Sequence, residues 1–230
     1  LPFVRHPEHD PFLEEGWLYE AVVECYLPLL EALERLERDG IPVRLTMTLS
    51  PTLCEMLDDS LLMERAGRRM SALAALAGRE PTRLLEESPE FLPAAALYAA
   101  CLPRLAKRFE HLGGRLLPAF RKHQDEGRIE ILTCAATHAV LPLLGNDALG
   151  RVQVGVAVGN YLKHFGRKPK GIWLPECGYA PGVESILARA GITHTVLEAH
   201  GLTQAQPPVA TTSILQGEEG VLFFGRDPLS

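Results

Sequence analysis

Five short strand-like runs, the first of them alternating, separated by stretches of helical periodicity, most constrain what this chain can fold into. They are Val43–Leu49, Arg128–Thr133, Gly171–Leu174, Thr193–Leu197 and Gly220–Phe224. Each is rich in β-branched or aromatic residues and has the length of a buried strand rather than a helix. Strand alternating with helix calls for an α/β fold, a parallel sheet covered by helices. Periodicity alone does not separate an open sheet from a barrel.

The helical segments are legible from their ends. Asp10-Pro11 has the form of an N-cap followed by proline at the first helical position. Apolar residues from Leu18 to Leu36 then recur at helical spacing, which predicts a helix to about Asp39, bent near Pro28 and ended by Gly40. Residues 53–75 read as one or two helices. Pro81, Pro89 and Pro93 make Gly78–Pro93 read as a loop. A long helical pattern covers about 95–125, interrupted at Gly113-Gly114. Val152–Phe165 and Val183–Ala190 are further helices, and residues 202–218 show no periodicity.

Bulk properties exclude several classes. The 230 residues are 47% apolar, enough for a sizeable core, and a net charge of -6 without a basic run argues against a nucleic-acid partner. No run of about 18 apolar residues is present, so no membrane-spanning segment is expected. The five cysteines are dispersed and without a Cys-x-x-Cys pair. They read as reduced thiols of a cytoplasmic protein, with no structural zinc.

Chemistry is expected where strands end, because parallel strands gather their C-termini on one rim. In Trp173-Leu-Pro-Glu-Cys-Gly-Tyr179, Glu176 stands between an apolar run and the turn Ala180-Pro-Gly-Val183. A carboxylate there, flanked by Trp173 and Tyr179, suits cleavage of a sugar bond: the carboxylate attacks an anomeric carbon and aromatic faces pack on sugar rings. The competing reading is a strand-end Glu that caps the next helix. Three other polar clusters follow strands: Cys134-Ala-Ala-Thr-His138, Glu198-Ala-His200-Gly201 and Arg226-Asp227-Pro228. His138 and His200 are therefore expected to face one cleft with Glu176, although each taken singly has a plain structural reading. His6 and His9 are three apart, but Pro7 breaks helical register, so a loop near the rim is expected rather than a metal site.

These residues together resemble glycoside hydrolase family 57, and within it the 1,4-α-glucan branching group. Leu1-Pro-Phe-Val-Arg-His-Pro-Glu8 resembles the opening motif of that family. Ile129-Glu-Ile-Leu-Thr-Cys-Ala-Ala-Thr-His138 resembles the second motif, and Trp173–Tyr179 the third, which holds the nucleophile. Trp17-Leu-Tyr-Glu20, Leu45–Thr52, Glu198-Ala-His-Gly201 and Phe224-Gly-Arg-Asp-Pro228 resemble further segments. The resemblance implies an incomplete seven-stranded (β/α) barrel, TIM-barrel-like, that acts on α-glucan with retention. It implies Glu176 as nucleophile and His6, His138, Trp173, Cys177, Tyr179, His200, Arg226 and Asp227 as substrate-binding residues, with no cofactor and no metal.

It also implies an aspartate as general acid/base. No Asp in the sequence falls in a matching context, and the His-x-His that precedes the Leu-Pro pair in the family does not precede Leu1. Residues 1–230 are accordingly expected to form one partial catalytic barrel, lacking the first strand and the C-terminal part, inactive by itself. Ala139 departs from a common glycine. Three alternatives stay open: an α-amylase-type hydrolase, an inactive glucan-binding module, and a sugar deacetylase, which needs an Asp/His/His metal set that the sequence does not assemble.

Overall fold

A computed structural model describes residues 2–10 and 12–227, which form two compact units. One comprises Leu1–Val43 and Glu55–Arg128, the other Arg44–Cys54 and Ile129–Ser230.

The first unit is helical. Helix α1 (Leu13–Ala21) runs through a π-helical turn (Val22–Tyr26) into α2 (Leu27–Arg38). The bend expected at Pro28 takes the form of that wider turn. Proline has no N–H to donate and its ring crowds the carbonyl four residues back, so the bonding shifts just ahead of it. Gly40, at φ +67°, ends α2: Ile41 N–H reaches Leu36 O at 2.9 Å and Gly40 N–H reaches Glu37 O at 3.1 Å. A left-handed residue is what this double closure needs, and glycine adopts it without strain.

The expected start of α1 is displaced. Phe12 is the N-cap, without a side-chain bond, Pro11 lies outside the described residues, and Asp10 is engaged by Arg68 at 2.5 Å. The ion pair claims the carboxylate that was expected to cap the helix.

Helices α3 (Pro51–Asp58) and α4 (Ser60–Glu87) follow, then a 3₁₀ turn (Pro89–Phe91), α5 (Leu92–His111) and α6 (Leu116–Asp125). The loop expected over Gly78–Pro93 is a misreading. Helix α4 continues through Pro81, and Pro93 sits in the first turn of α5, where its missing N–H is not needed. Packing of α4 on α5, with Ala77, Leu84, Ala95 and Leu105 buried, outweighs the roughly 3 kcal/mol that an internal proline costs. The break at Gly113-Gly114 is as expected, both residues having positive φ.

The second unit carries the sheet. Its strands are β1 (Leu45–Thr48), β2 (Ile129–Cys134), β3 (Gly171–Trp173), β4 (His194–Leu197), β5 (Ile214–Gln216) and β6 (Leu222–Gly225). Their order is β1-β2-β3-β4-β6-β5. All neighbours are parallel except β5, which pairs antiparallel with β6. The α/β class is as expected, and the six strands lie in open order, as in an incomplete barrel.

Helices α7 (Asp147–Phe165), α8 (Val183–Arg189) and α9 (Ala199–Thr203) connect or follow the strands. Ile172, Leu174, Val154, Leu187 and Phe223 form the centre of the core. Polar groups taken into it are partnered: Thr195 donates to Ile172 O at 2.8 Å, and Tyr161 to Ile131 O at 2.9 Å. No helix among the described residues is long and apolar enough to cross a membrane.

Candidate active site

Because β2, β3, β4 and β6 run parallel, their C-terminal ends share one rim. The polar clusters foreseen after these strands lie there. Beyond β3 the chain makes two overlapping turns, Cys177 N–H to Leu174 O and Gly178 N–H to Pro175 O, each 2.9 Å. Glu176 is the third residue of one turn and the second of the next. It sits at φ 56°, ψ 25°, followed by Cys177 at φ 51°. These are places that glycine or asparagine normally takes. Among the described residues, the remaining non-glycine with positive φ is His138 at φ 59°, after β2. Backbone strain therefore collects at the two strand ends that carry the candidate chemistry.

The same two residues meet. His138 Nε2 lies 3.7 Å from Glu176 Oε1, and the two side chains are 53% and 76% exposed. The ring's other nitrogen, Nδ1, is 3.3 Å from Cys134 Sγ. The loop that presents His138 is fastened to α7 through Gln153. Its Oε1 accepts from Thr137 N–H, its amide donates to Thr137 Oγ1, both at 3.0 Å, and its carbonyl accepts from Ala136 N–H at 3.2 Å. Glu176 does not cap the following helix: α8 has Gly182 as N-cap and no side-chain cap bond. The helix-cap reading of this carboxylate is thereby removed.

The rim also carries a cleft of ≈ 730 Å³, lined by Cys177, Tyr179, Glu198, His200 and Phe223 among others. His200 lines it, whereas Glu176 and His138 do not, so the shared cleft expected for the three residues is not formed by this cavity. Arg226 Nη1 pairs with Glu198 Oε1 at 2.7 Å, which ties the end of β6 to the end of β4. Arg226, and after it Cys177, hold the Glu198 carboxyl below its ordinary range, so it is a fixed anion rather than a proton donor. Burial, then the charge of Glu198, pushes the Cys177 thiol up. Tyr179 stands edge-on to Phe223 with ring centroids 5.2 Å apart, and its hydroxyl is raised chiefly by burial. Trp173 ends β3, half-buried, and Asp227 is exposed just past β6; Pro228 lies outside the described residues.

His6 belongs to the helical unit. Its N–H donates to the buried Glu15 at 2.8 Å, its carbonyl accepts from Arg65 at 2.9 Å, and its ring stacks on Phe12. The residues that sequence reasoning passed over are Gln153, Cys134 and Glu198. The last two stood inside clusters already singled out. Gln153 had no local signal, because its partners are 16 residues away in sequence.

For a metal, the described residues offer Glu37, His123 and Glu126, in the helical unit. Arg128 already fills that position. It donates to His123 Nδ1 at 2.8 Å, pairs with Glu37 at 3.1 Å and contacts Glu126. A guanidinium that satisfies all three leaves no charge deficit for a cation to fill.

Fold and rim together define an α/β protein of barrel type with a carboxylate–histidine pair at the C-terminal ends of its strands. The sequence matches the glycosyl hydrolase family 57 pattern over residues 1–224, and the chain belongs to that family. It is 38% identical over 187 residues to the 1,4-alpha-glucan branching enzyme TK1436 of Thermococcus kodakarensis, covering 80% of this chain and 26% of that protein. The alpha-amylase AmyC of Thermotoga maritima superposes with a TM-score of 0.94 at 38% identity, over 100% of this chain and 44% of that one. A GH57-type branching enzyme from Pyrococcus horikoshii gives 0.89 at 31%, over 100% and 46%. The chain thus spans less than half the length of each of these relatives.

Proposed function

We propose that this chain contributes the nucleophile side of the active site of a retaining α-glucan enzyme, most simply a 1,4-α-glucan branching enzyme of cytoplasmic glucan storage metabolism. The carrying observation is Glu176: exposed, forced into a left-handed turn at a strand end, and faced by His138 at 3.7 Å. In this reading a carboxylate oxygen of Glu176 bonds to the anomeric carbon as the glycosidic C–O bond breaks. The departing oxygen takes a proton from a second carboxyl group. A sugar 6-hydroxyl then displaces Glu176 and returns its proton to that group. His138 donates toward the carboxylate, while Trp173 and Tyr179 offer ring faces to the glucan, with His200, Arg226 and Asp227 along the same rim. Glu198, held as an anion by Arg226, is unsuited to the acid/base role. The reading assigns that role to an aspartate outside these 230 residues.

Hydrolysis in place of transfer is the second reading, favoured by the likeness to AmyC. The two differ in acceptor, not in the role of Glu176. The test is Glu176→Gln in the protein that includes the acid/base, assayed on amylose for new branch points and new reducing ends, with glucan binding in parallel. The amide keeps shape but cannot form the covalent intermediate, so turnover should fall by about 10⁴-fold or more with binding retained. Wild-type branch points without matching reducing ends favour transfer. Near-normal turnover in Glu176→Gln removes this residue from the mechanism.

A further inference from the structure

We propose that Cys134 is a positioning residue: its thiol donates to Nδ1 of His138 and so turns Nε2–H toward the Glu176 carboxylate. The proposal rests on the reading of Glu176 as nucleophile and adds how its neighbour is aimed.

Cys134 is the last residue of β2 and only 1% exposed, with Sγ 3.3 Å from His138 Nδ1. A thiol so enclosed is not a nucleophile toward a polysaccharide, although a cysteine beside a histidine otherwise suggests one. What remains for it is hydrogen bonding. Burial pushes the thiol up to about 11, so near neutral pH the sulfur keeps its proton and has one to give. In a neutral imidazole one nitrogen donates and the other accepts, and the bond made by one fixes the role of the other. If Nδ1 accepts from the thiol, the ring proton is on Nε2, 3.7 Å from Glu176 Oε1. The reverse tautomer would set two acceptors, Nε2 and a carboxylate oxygen, against each other.

The backbone makes this aim possible. His138 at φ 59° closes a turn through its N–H to Ala135 O at 2.9 Å, which folds the ring back over the strand end that carries Cys134. Gln153 holds the two preceding residues, so the ring's direction is left to side-chain partners: Cys134 on one nitrogen, Glu176 on the other. An Nε2–H aimed at one oxygen of Glu176 from 3.7 Å can tighten onto it when charge shifts in the reaction, and it leaves the other oxygen for the anomeric carbon.

The test is ¹⁵N NMR of histidine-labelled chain, with Cys134→Ala, Cys134→Ser and Glu176→Gln compared. In wild type, Nδ1 of His138 should resonate as an unprotonated nitrogen displaced by an accepted hydrogen bond. Cys134→Ala should lose that displacement. Cys134→Ser, which keeps a donor, should retain a displaced Nδ1 at a changed position. Glu176→Gln should move Nε2 and leave Nδ1 in place. An Nδ1 resonance indifferent to both cysteine substitutions, or a wild-type proton on Nδ1, overturns the proposal. The nucleophile assignment fails separately: turnover by Glu176→Gln would remove it while the Nδ1 pattern stood.

Discussion

Replacing Glu176 by glycine and by alanine should give opposite answers about stability from those the two residues usually give. Elsewhere glycine is the less stable of the pair by about 0.5–1 kcal/mol, because it has more backbone freedom to lose. At φ 56° the order should invert. A side chain with Cβ in the left-handed region costs on the order of 1–3 kcal/mol, and alanine keeps that cost while glycine removes it. Other differences are small. The Glu176 side chain is 76% exposed and its contact with His138 is 3.7 Å, a surface pair worth about 0–1 kcal/mol and lost equally in both variants. Glu176→Gly should therefore exceed Glu176→Ala by about 1 kcal/mol, or about 2–4 °C in Tm. The assay is urea unfolding followed by Trp173 fluorescence, with Trp17→Phe as background so that the reporter lies in the sheet unit. Glycine less stable than alanine by its customary margin would show that Glu176 is not strained.

Two further outcomes test what holds each unit together. A Cβ on Gly217 would lie 2.3–2.4 Å from the carboxyl of Glu184, which accepts from Glu219 N–H at 2.8 Å and Val221 N–H at 3.3 Å. Gly217→Ala should displace that carboxyl and cost about 2–4 kcal/mol in urea unfolding, whereas a loss under about 0.5 kcal/mol would mean the turn yields freely. In the helical unit, Glu15 is fully buried; burial pushes its carboxyl up, but bonds from His6 N–H, Tyr19 and Arg65 prevail and leave it below its ordinary value of 4.5. Such a group stabilises fully above 4.5, and the contribution is lost as pH falls through the lower folded value. Glu15→Gln should cost about 3 kcal/mol at neutral pH and flatten the acid limb of stability read from Trp17; an unchanged acid limb would show that Glu15 does not carry it.

The sheet's parallel strands were legible from short β-rich runs of two kinds: Gly171–Leu174 is an unbroken apolar run, and β3 is largely buried, whereas Val43–Leu49 alternates, and β1 is partly exposed. β5 was not, because two of its three residues are exposed and it pairs at an edge, so neither length nor pattern marks it. Pro81 misled for the opposite reason: a strong local signal yielded to packing between helices that sequence cannot place side by side. At the rim, Glu176, His138 and His200 were found by one rule, polar residues just past a strand. What the rule could not supply was conformation. Glutamate and cysteine carry no preference for positive φ, and the enrichment of histidine there is too small to single out His138, so the strained residues stayed hidden; the support from Gln153 comes from the middle of another element.

The acidic residues themselves separate structure from chemistry. Glu15 and Glu184 are buried: donors engage both oxygens of Glu15, and two backbone N–H groups converge on Oε1 of Glu184. Those carboxylates are consumed by folding. Glu198 is half-buried and claimed by Arg226. Glu176 differs from all three: its position is set by two backbone turns anchored on the buried Leu174 and Pro175, not by bonds to its own oxygens. A carboxylate fixed through its backbone keeps its lone pairs for a ligand, and the strain of φ 56° is what it costs to hold it there. A helix-capping or ion-paired glutamate would show the reverse, relaxed backbone and occupied oxygens. That contrast, more than its place after a strand, is why Glu176 reads as the reacting group of this rim.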